Sequence, residues 1–233
     1  MPRLPVTQGT DEWKRIRARN VTATDVWKIY NGSVARREIV ERWKTGVVKD
    51  ISHQPAVAYG RGCESRAVEV YSTYVAWLDD GGFWRHPSRE WLFASPDGLQ
   101  GKDMVVEFKC PYSKIVPDEP PPQYVWQLQT QMAVTERPYG RIVYWRYLRE
   151  PGEERDDWER AFSGRLKDEL TIFDYSYSKA FENVWIWLDE AVSKRQFSPF
   201  SPIVPTPRPE RTFRLKVDCL VGSPCPWAPH ERV

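Results

Sequence analysis

Several things are scarce in this chain. Across its 233 residues no apolar run approaches the roughly 20 residues that a membrane-crossing helix needs, so no membrane partner is expected. The start, Met1-Pro2-Arg3-Leu4-Pro5, lacks the apolar core of a secretory signal, which points to an intracellular, cytoplasmic protein. The four cysteines, Cys63, Cys110, Cys219 and Cys225, form no Cys-x-x-Cys pair; a zinc ribbon is therefore disfavoured, and the scatter also argues against an iron–sulfur cluster. Cys63 and Cys110 read as small packing residues. Cys219 and Cys225 would close a late disulfide or give half of a metal site. Charge of one sign is missing too: 34 basic and 32 acidic residues leave a net +2. That balance permits a nucleic-acid partner only if the cations gather on one surface. No internal repeat is present.

What remains is a soluble α/β composition, 41% hydrophobic, with 12 tryptophans and 20 prolines. The length suits one sizeable domain with a tail. Most tryptophans belong in a core, with one or two left to stack on nucleobases. Prolines crowd the stretch after Phe197, so residues 1–197 are read as one domain and 198–233 as a proline-rich arm or partly disordered tail. Thr10-Asp11-Glu12 starts a helix, Thr22 or Thr24 caps a second that closes at Asn31-Gly32, and Val34 to Trp43 suits a third. Ala56 to Trp77 reads as one long helix after a break at Gly60 and Gly62. Later helices are expected over Gln123 to Thr135 and Ser178 to Lys194. Strands are expected over Glu90 to Ala94, Asp103 to Lys109, Tyr139 to Leu148 and Leu170 to Tyr177, with Glu150 to Arg165 a loop or exposed helix.

The most informative words are Ser95-Pro96-Asp97-Gly98 and Glu107-Phe108-Lys109. Strand side chains alternate faces, so Glu107 and Lys109 point one way and Phe108 the other. A hairpin of the strands either side of the turn would return Glu107 to Asp97. Two carboxylates beside an ammonium suit phosphodiester hydrolysis: hard oxygen ligands for Mg²⁺ and a cation near the attacking water. Three further groups can converge there. Glu64 opens a helix after glycines, and Gln127-Leu128-Gln129 follows the strand. Arg15, Arg17 and Arg19 precede Thr22 and Thr24, and guanidinium with hydroxyls at a helix N-terminus suits a phosphate. Two glutamines at i and i+2 do not share a helix face, so at most one aims at the site. Each group alone has a plainer reading as a solvated pair or an exposed helix face.

Taken in order, Gln8-Gly9-Thr10-Asp11-Glu12-Trp13 to Thr22-Ala23-Thr24, Gly60-x-x-x-Glu64, Ser95 to Gly98, Glu107 to Pro111, and Gln127-x-Gln129 with Met132 to Thr135 resemble the YqaJ-type viral recombinase family, to which bacteriophage lambda exonuclease belongs. The resemblance covers roughly residues 6 to 195. It implies a restriction-endonuclease-like PD-(D/E)XK core, a central mixed β-sheet flanked by helices. It implies Asp97 and Glu107 as metal ligands, the Phe108 carbonyl as a third, and Glu64 as a further carboxylate for a second ion. Lys109 would orient the water and Gln129 support the arrangement. Arg17, Thr24 and Ser95 would hold a terminal 5′-phosphate; Thr24 stands where the family typically has serine. Arg61 would touch DNA backbone. The implied activity is a Mg²⁺-dependent 5′-to-3′ exonuclease, with Mn²⁺ able to substitute, acting on double-stranded DNA ends. It would work as a homotrimer and pass a 3′ tail to a single-strand annealing protein. Two alternatives stay open: an endonuclease on the same fold, and a catalytically silent module that binds DNA ends.

Overall fold

A computed structural model describes residues 3–48, 50–148, 166–194 and 202–219; the side chains of 33, 166, 167 and 217–219 are not described. Residues 150–165 fall wholly outside these residues, as do the side chains of Cys219 and Cys225. Six α-helices and ten strands are present among the described residues: β1 Arg3–Leu4, α1 Asp11–Arg19, β2 Val21–Thr22, α2 Ala23–Asn31, α3 Ser33–Thr45, α4 Pro55–Tyr74, β3 Asp79–Asp80, β4 Phe83–Arg85, β5 Leu92–Ala94, β6 Gly98–Gln100, β7 Met104–Lys109, α5 Pro122–Thr135, β8 Tyr139–Leu148, β9 Leu166–Ser176, α6 Glu182–Lys194 and β10 Arg211–Cys219. A six-stranded sheet has the order β10-β9-β8-β7-β6-β3 and a four-stranded sheet the order β1-β4-β5-β2. In the larger sheet β7 and β8 are parallel and the other pairs antiparallel. A parallel pair needs a crossover, and α5 is that crossover. The expected α/β class, with a mixed sheet between helices, is what the chain adopts.

Alternation along β7 divides the core. Val105 packs with α2, α5 and α6 on one face; Val106 and Phe108 pack with Tyr59, Cys63, Ala67, Val70 and Tyr71 of α4 on the other. Cys63 is buried among them, as its packing role required. Trp126 is fully buried on α5, with ring centroids 4.2 Å from Tyr30, 5.3 Å from Trp27 and 4.7 Å from Phe181. Such pairs add about 0.5–1.5 kcal/mol each beyond area burial.

Three expectations need correction. The strand around Leu92–Ala94 does not pair with β7; it joins the small sheet beside β4 and β2. The chain switches sheets at Pro96, and the short β6 pairs with β7 instead, with Gly101 between them at φ 58° in the left-handed region. Gly60 and Gly62 do not break α4, which begins at Pro55; proline at the first helical position costs no hydrogen bond. Within the proline-rich arm, Arg211–Cys219 is an edge strand, in register from Arg211↔Asp174 to Cys219↔Leu166.

β9 also starts earlier than its apolar run, at Leu166, although it carries the fully buried Asp168. That charge is tolerated because Arg66 donates to Asp168 at 2.7 Å and the Trp145 indole donates at 2.7 Å.

Candidate active site

Register explains which side chains meet. In β6 and β7, Gly98 faces Val106, so the next residues outward, Asp97 and Glu107, leave the ladder opposite each other. The Phe108 N–H donates to Asp97 Oδ2 at 2.7 Å. A residue's N–H and C=O lie on the same edge of a strand, so the Phe108 carbonyl also faces the Asp97 edge. The turn bearing Asp97 is docked closely: a Cβ added at Gly81 would stand 1.8 Å from the Pro96 carbonyl oxygen. No larger residue fits Gly81 without moving that turn.

Glu107 is the hub of the site. It is buried, at 3% exposure, and three donors hold it. Lys109 Nζ donates to Oε1 at 2.5 Å, Gln127 Nε2 to Oε1 at 2.6 Å, and Gln131 Nε2 to Oε2 at 2.7 Å. Lys109 also donates to Gln127 Oε1 at 3.2 Å and lies 4.4 Å from the Tyr124 ring centroid. Gln131 reaches the Ser95 carbonyl at 3.4 Å, tying Glu107 to the turn that carries Asp97.

Gln129 is not part of this arrangement, which corrects its assigned role. Its amide donates to the Ser176 carbonyl at 2.9 Å and accepts from the Ser178 N–H at 2.8 Å. The reason is helical geometry. Gln127 and Gln131 are i and i+4 and share a face; Gln129 lies between them and turns away. The sequence carried that signal as Gln127-x-x-x-Gln131, and the i, i+2 spacing drew attention to the wrong member.

The predicted phosphate group assembles through a second register. β2 and β5 run parallel with Thr22 beside Phe93; Thr24 follows in the first turn of α2 and Ser95 just beyond β5. Arg17 donates to Thr24 Oγ1 at 3.4 Å and stacks 4.3 Å from the Trp13 ring centroid. The Trp13 indole donates to Ser95 Oγ at 3.2 Å. Trp13 is the member that sequence reasoning left out. Burial draws the Arg17 guanidinium below its ordinary value, against the pull of Asp25.

Arg61, Glu64, Asp97, Glu107, Phe108 and Lys109 border one pocket of about 600 Å³. Its electrostatics are unbalanced. Burial, then Glu107 and Glu64, pushes the Asp97 carboxyl well above the usual carboxylate range. Burial and Glu107 also raise Glu64, with Lys109 and Arg61 opposing. Burial works against the Lys109 charge, but Glu107 and Asp97 outweigh it and raise its pKa.

Three carboxylates crowd one ammonium, which is the environment that a small divalent cation would relieve. The donors are hard oxygens: Asp97, Glu107 and the Phe108 carbonyl, with Glu64 on α4. No three His, Cys, Asp or Glu side chains among the described residues stand close enough to enclose an ion by themselves. Mg²⁺ does not require that, since it keeps several waters and takes one or two carboxylates. The residues fit such an ion.

The family profile of the YqaJ-like viral recombinase domain matches residues 12–138, more than half of the chain. No curated protein matches. Among solved structures the chain is similar to an alkaline exonuclease from Laribacter hongkongensis, with 24% identity and a TM-score of 0.60, covering 79% of this chain and 94% of that one. The complex of that enzyme with dAMP gives the same figures. A phage-related exonuclease from Haemophilus somnus 129PT is 14% identical with a TM-score of 0.51, covering 76% and 92%. These likenesses concern the fold. No helix among the described residues is long and apolar enough to cross a membrane.

Proposed function

Because the chain belongs to the YqaJ-like viral recombinase domain family, we propose that it is a metal-dependent exodeoxyribonuclease that degrades one strand of linear duplex DNA from a 5′-phosphorylated end. The observation that carries this reading is the juxtaposition of Asp97 and Glu107 across the end of the β6–β7 ladder, with Lys109 on Glu107. Asp97, Glu107 and the Phe108 carbonyl would hold Mg²⁺, or Mn²⁺ in its place, and Glu64 would serve a second ion. Bound there, such ions polarise the phosphate and make water acidic enough to attack at neutral pH.

The chain's own residues do the rest. Lys109 orients the attacking water and offsets negative charge as the phosphorane-like transition state forms. Gln127 and Gln131 hold the Glu107 carboxylate in one orientation, each donating to one of its oxygens. Arg17, Thr24 and Ser95 receive the terminal 5′-phosphate, and Arg61 meets the backbone. Seating that phosphate sets which phosphodiester lies over the carboxylates, which gives 5′-mononucleotides and leaves a 3′ single-stranded tail. The tail is the substrate of a single-strand annealing protein. A homotrimer enclosing the duplex would make digestion processive.

The test is digestion of 5′-phosphorylated linear duplex beside a covalently closed circle, with Mg²⁺ or with EDTA. We expect the linear DNA alone to be degraded, only with Mg²⁺, with activity falling about 10²–10³-fold in Lys109→Ala. Cutting of the circle would remove the end-anchoring role of Arg17. No cleavage of either DNA would leave an end-binding module and overturn the enzyme reading.

A further inference from the structure

Two charged side chains of α4 flank one buried stripe. Tyr59, Cys63, Ala67 and Val70 pack into the core beneath the helix. At 3.6 residues per turn, Glu64 and Arg66 stand about 200° apart around the axis, one on each side of that stripe. Glu64 borders the pocket with Asp97 and Glu107. Arg66 turns the other way, to β9, and its Nη2 donates to Asp168 Oδ2 at 2.7 Å. Asp168 is fully buried, and its other oxygen accepts from the Trp145 indole of β8 at 2.7 Å. Both carboxylate oxygens are therefore held from outside their own strand.

The hydrophobic stripe fixes that α4 lies on the sheet, but burial has no direction and resists a small roll of the helix weakly. A charge-assisted hydrogen bond is directional. A buried ion pair adds little stability over apolar side chains of the same volume, and specifying one arrangement is the role left to it. We infer that Arg66 and Asp168 are positioning residues for Glu64: the tie on one flank of α4 sets the roll of the helix and so holds the Glu64 carboxylate at the pocket on the other flank. This rests on the nuclease reading, in which Glu64 serves a second ion. The lever is long enough to matter. A roll of about 20° moves a side-chain end at the outer radius of the helix, about 5–6 Å, by about 2 Å, which is about the length of a Mg²⁺–oxygen bond. Tyr71 makes a further tie, donating to Gln100 Oε1 at 2.6 Å and accepting from Arg141 at 2.7 Å. It lies nearly two turns beyond Glu64, so Arg66 is the nearer of the two.

The test is calorimetric titration of the metal-free full chain with Mn²⁺. Glu64→Gln identifies the binding event that belongs to Glu64 by removing it. Arg66→Met combined with Asp168→Leu replaces the tie with apolar side chains. This double variant should weaken the Glu64 event about tenfold, the low end for a residue that supports a metal ligand, and leave the other event at its wild-type affinity. Asp168→Asn keeps an acceptor for Trp145 and should weaken the same event by a smaller factor; it decides the matter if the double variant does not fold. Wild-type affinity for both events overturns the inference. So does equal weakening of both, which marks a general loosening of the fold and not a displaced Glu64. If Glu64→Gln binds Mn²⁺ as the wild type does, the second-ion role of Glu64 falls and takes this inference with it. If Glu64→Gln does lose one event, the nuclease reading stands whatever the tie variants show.

Discussion

Asp25 is buried and Asp97 half-buried at the pocket, and the fold treats the two carboxylates in opposite ways. Asp25 accepts from the Thr22 N–H at 2.9 Å, the Thr22 hydroxyl at 2.7 Å, and two Arg42 N–H groups at 3.0 and 2.9 Å. Burial raises its pKa, but Arg42 and Thr22 win and hold the carboxyl below its ordinary value. Asp97 accepts from the Phe108 N–H and has two other carboxylates for neighbours, and its pKa moves the other way. A structural charge is closed by a counter-charge of its own. The charge at the site is left in deficit, and a cation from solution can supply what is missing.

The sharpest way to break this comparison is to remove each charge. Asp25→Ala leaves the half-buried Arg42 with the Asn20 carbonyl in place of its counter-charge, and losing one partner of a buried pair costs up to about 3–5 kcal/mol. Chemical denaturation should show that loss in the midpoint, with the slope unchanged. If Asp25→Ala unfolds at the wild-type midpoint, the Asn20 carbonyl is enough for Arg42 and the closed-pair description fails.

The next effect separates the glutamines of α5. Gln131→Met keeps volume but removes the donor to Glu107 Oε2 and the tie to Ser95. Residues that orient a ligand carboxylate typically matter by about 10–100-fold in metal affinity, so Mn²⁺ binding measured by calorimetry should weaken by that much. Gln129→Met should leave Mn²⁺ affinity unchanged and lower the melting temperature, because it loses the bonds to Ser176 and Ser178. The reverse pattern would return Gln129 to the site.

How far the sequence carried the argument follows from the same residues. Asp97, Glu107 and Lys109 were legible because strand alternation and a tight turn are local, and their meeting needs one hairpin. The identity of that hairpin's first strand was not legible. Glu90 to Ala94 is more apolar than Gly98 to Gln100, and its apolar side chains are spent in the small sheet, a tertiary choice that propensity does not encode. Thr24 and Ser95 could be proposed by resemblance, but the parallel β2–β5 pairing that precedes both spans a long stretch of chain. The glutamine error was different in kind. Every polar side chain of a helix buried on nearly all sides must find a partner, and the partner of Gln129 comes from the end of β9, far along the sequence.

The smallest predicted effect tests the deficit itself. A carboxyl whose folded pKa is raised binds more protons folded than unfolded between its two pKa values, so metal-free stability falls as pH rises through that window. For Asp97 the window opens near the ordinary aspartate value of 3.8 and extends upward to the raised folded value. Asp97→Asn keeps an acceptor for the Phe108 N–H and removes both the charge and the titration. In EDTA at neutral pH it should therefore melt higher than wild type; about 1 kcal/mol would appear as about 2–4 °C in a chain of this size. Below the window the difference should vanish. Added Mg²⁺ should raise the wild-type melting temperature and leave the variant nearly unmoved, because the ion stabilises by binding the folded state that still has both carboxylates. A variant that melts lower than wild type in EDTA would mean that Asp97 is closed like Asp25. The contrast between the two residues would then be gone.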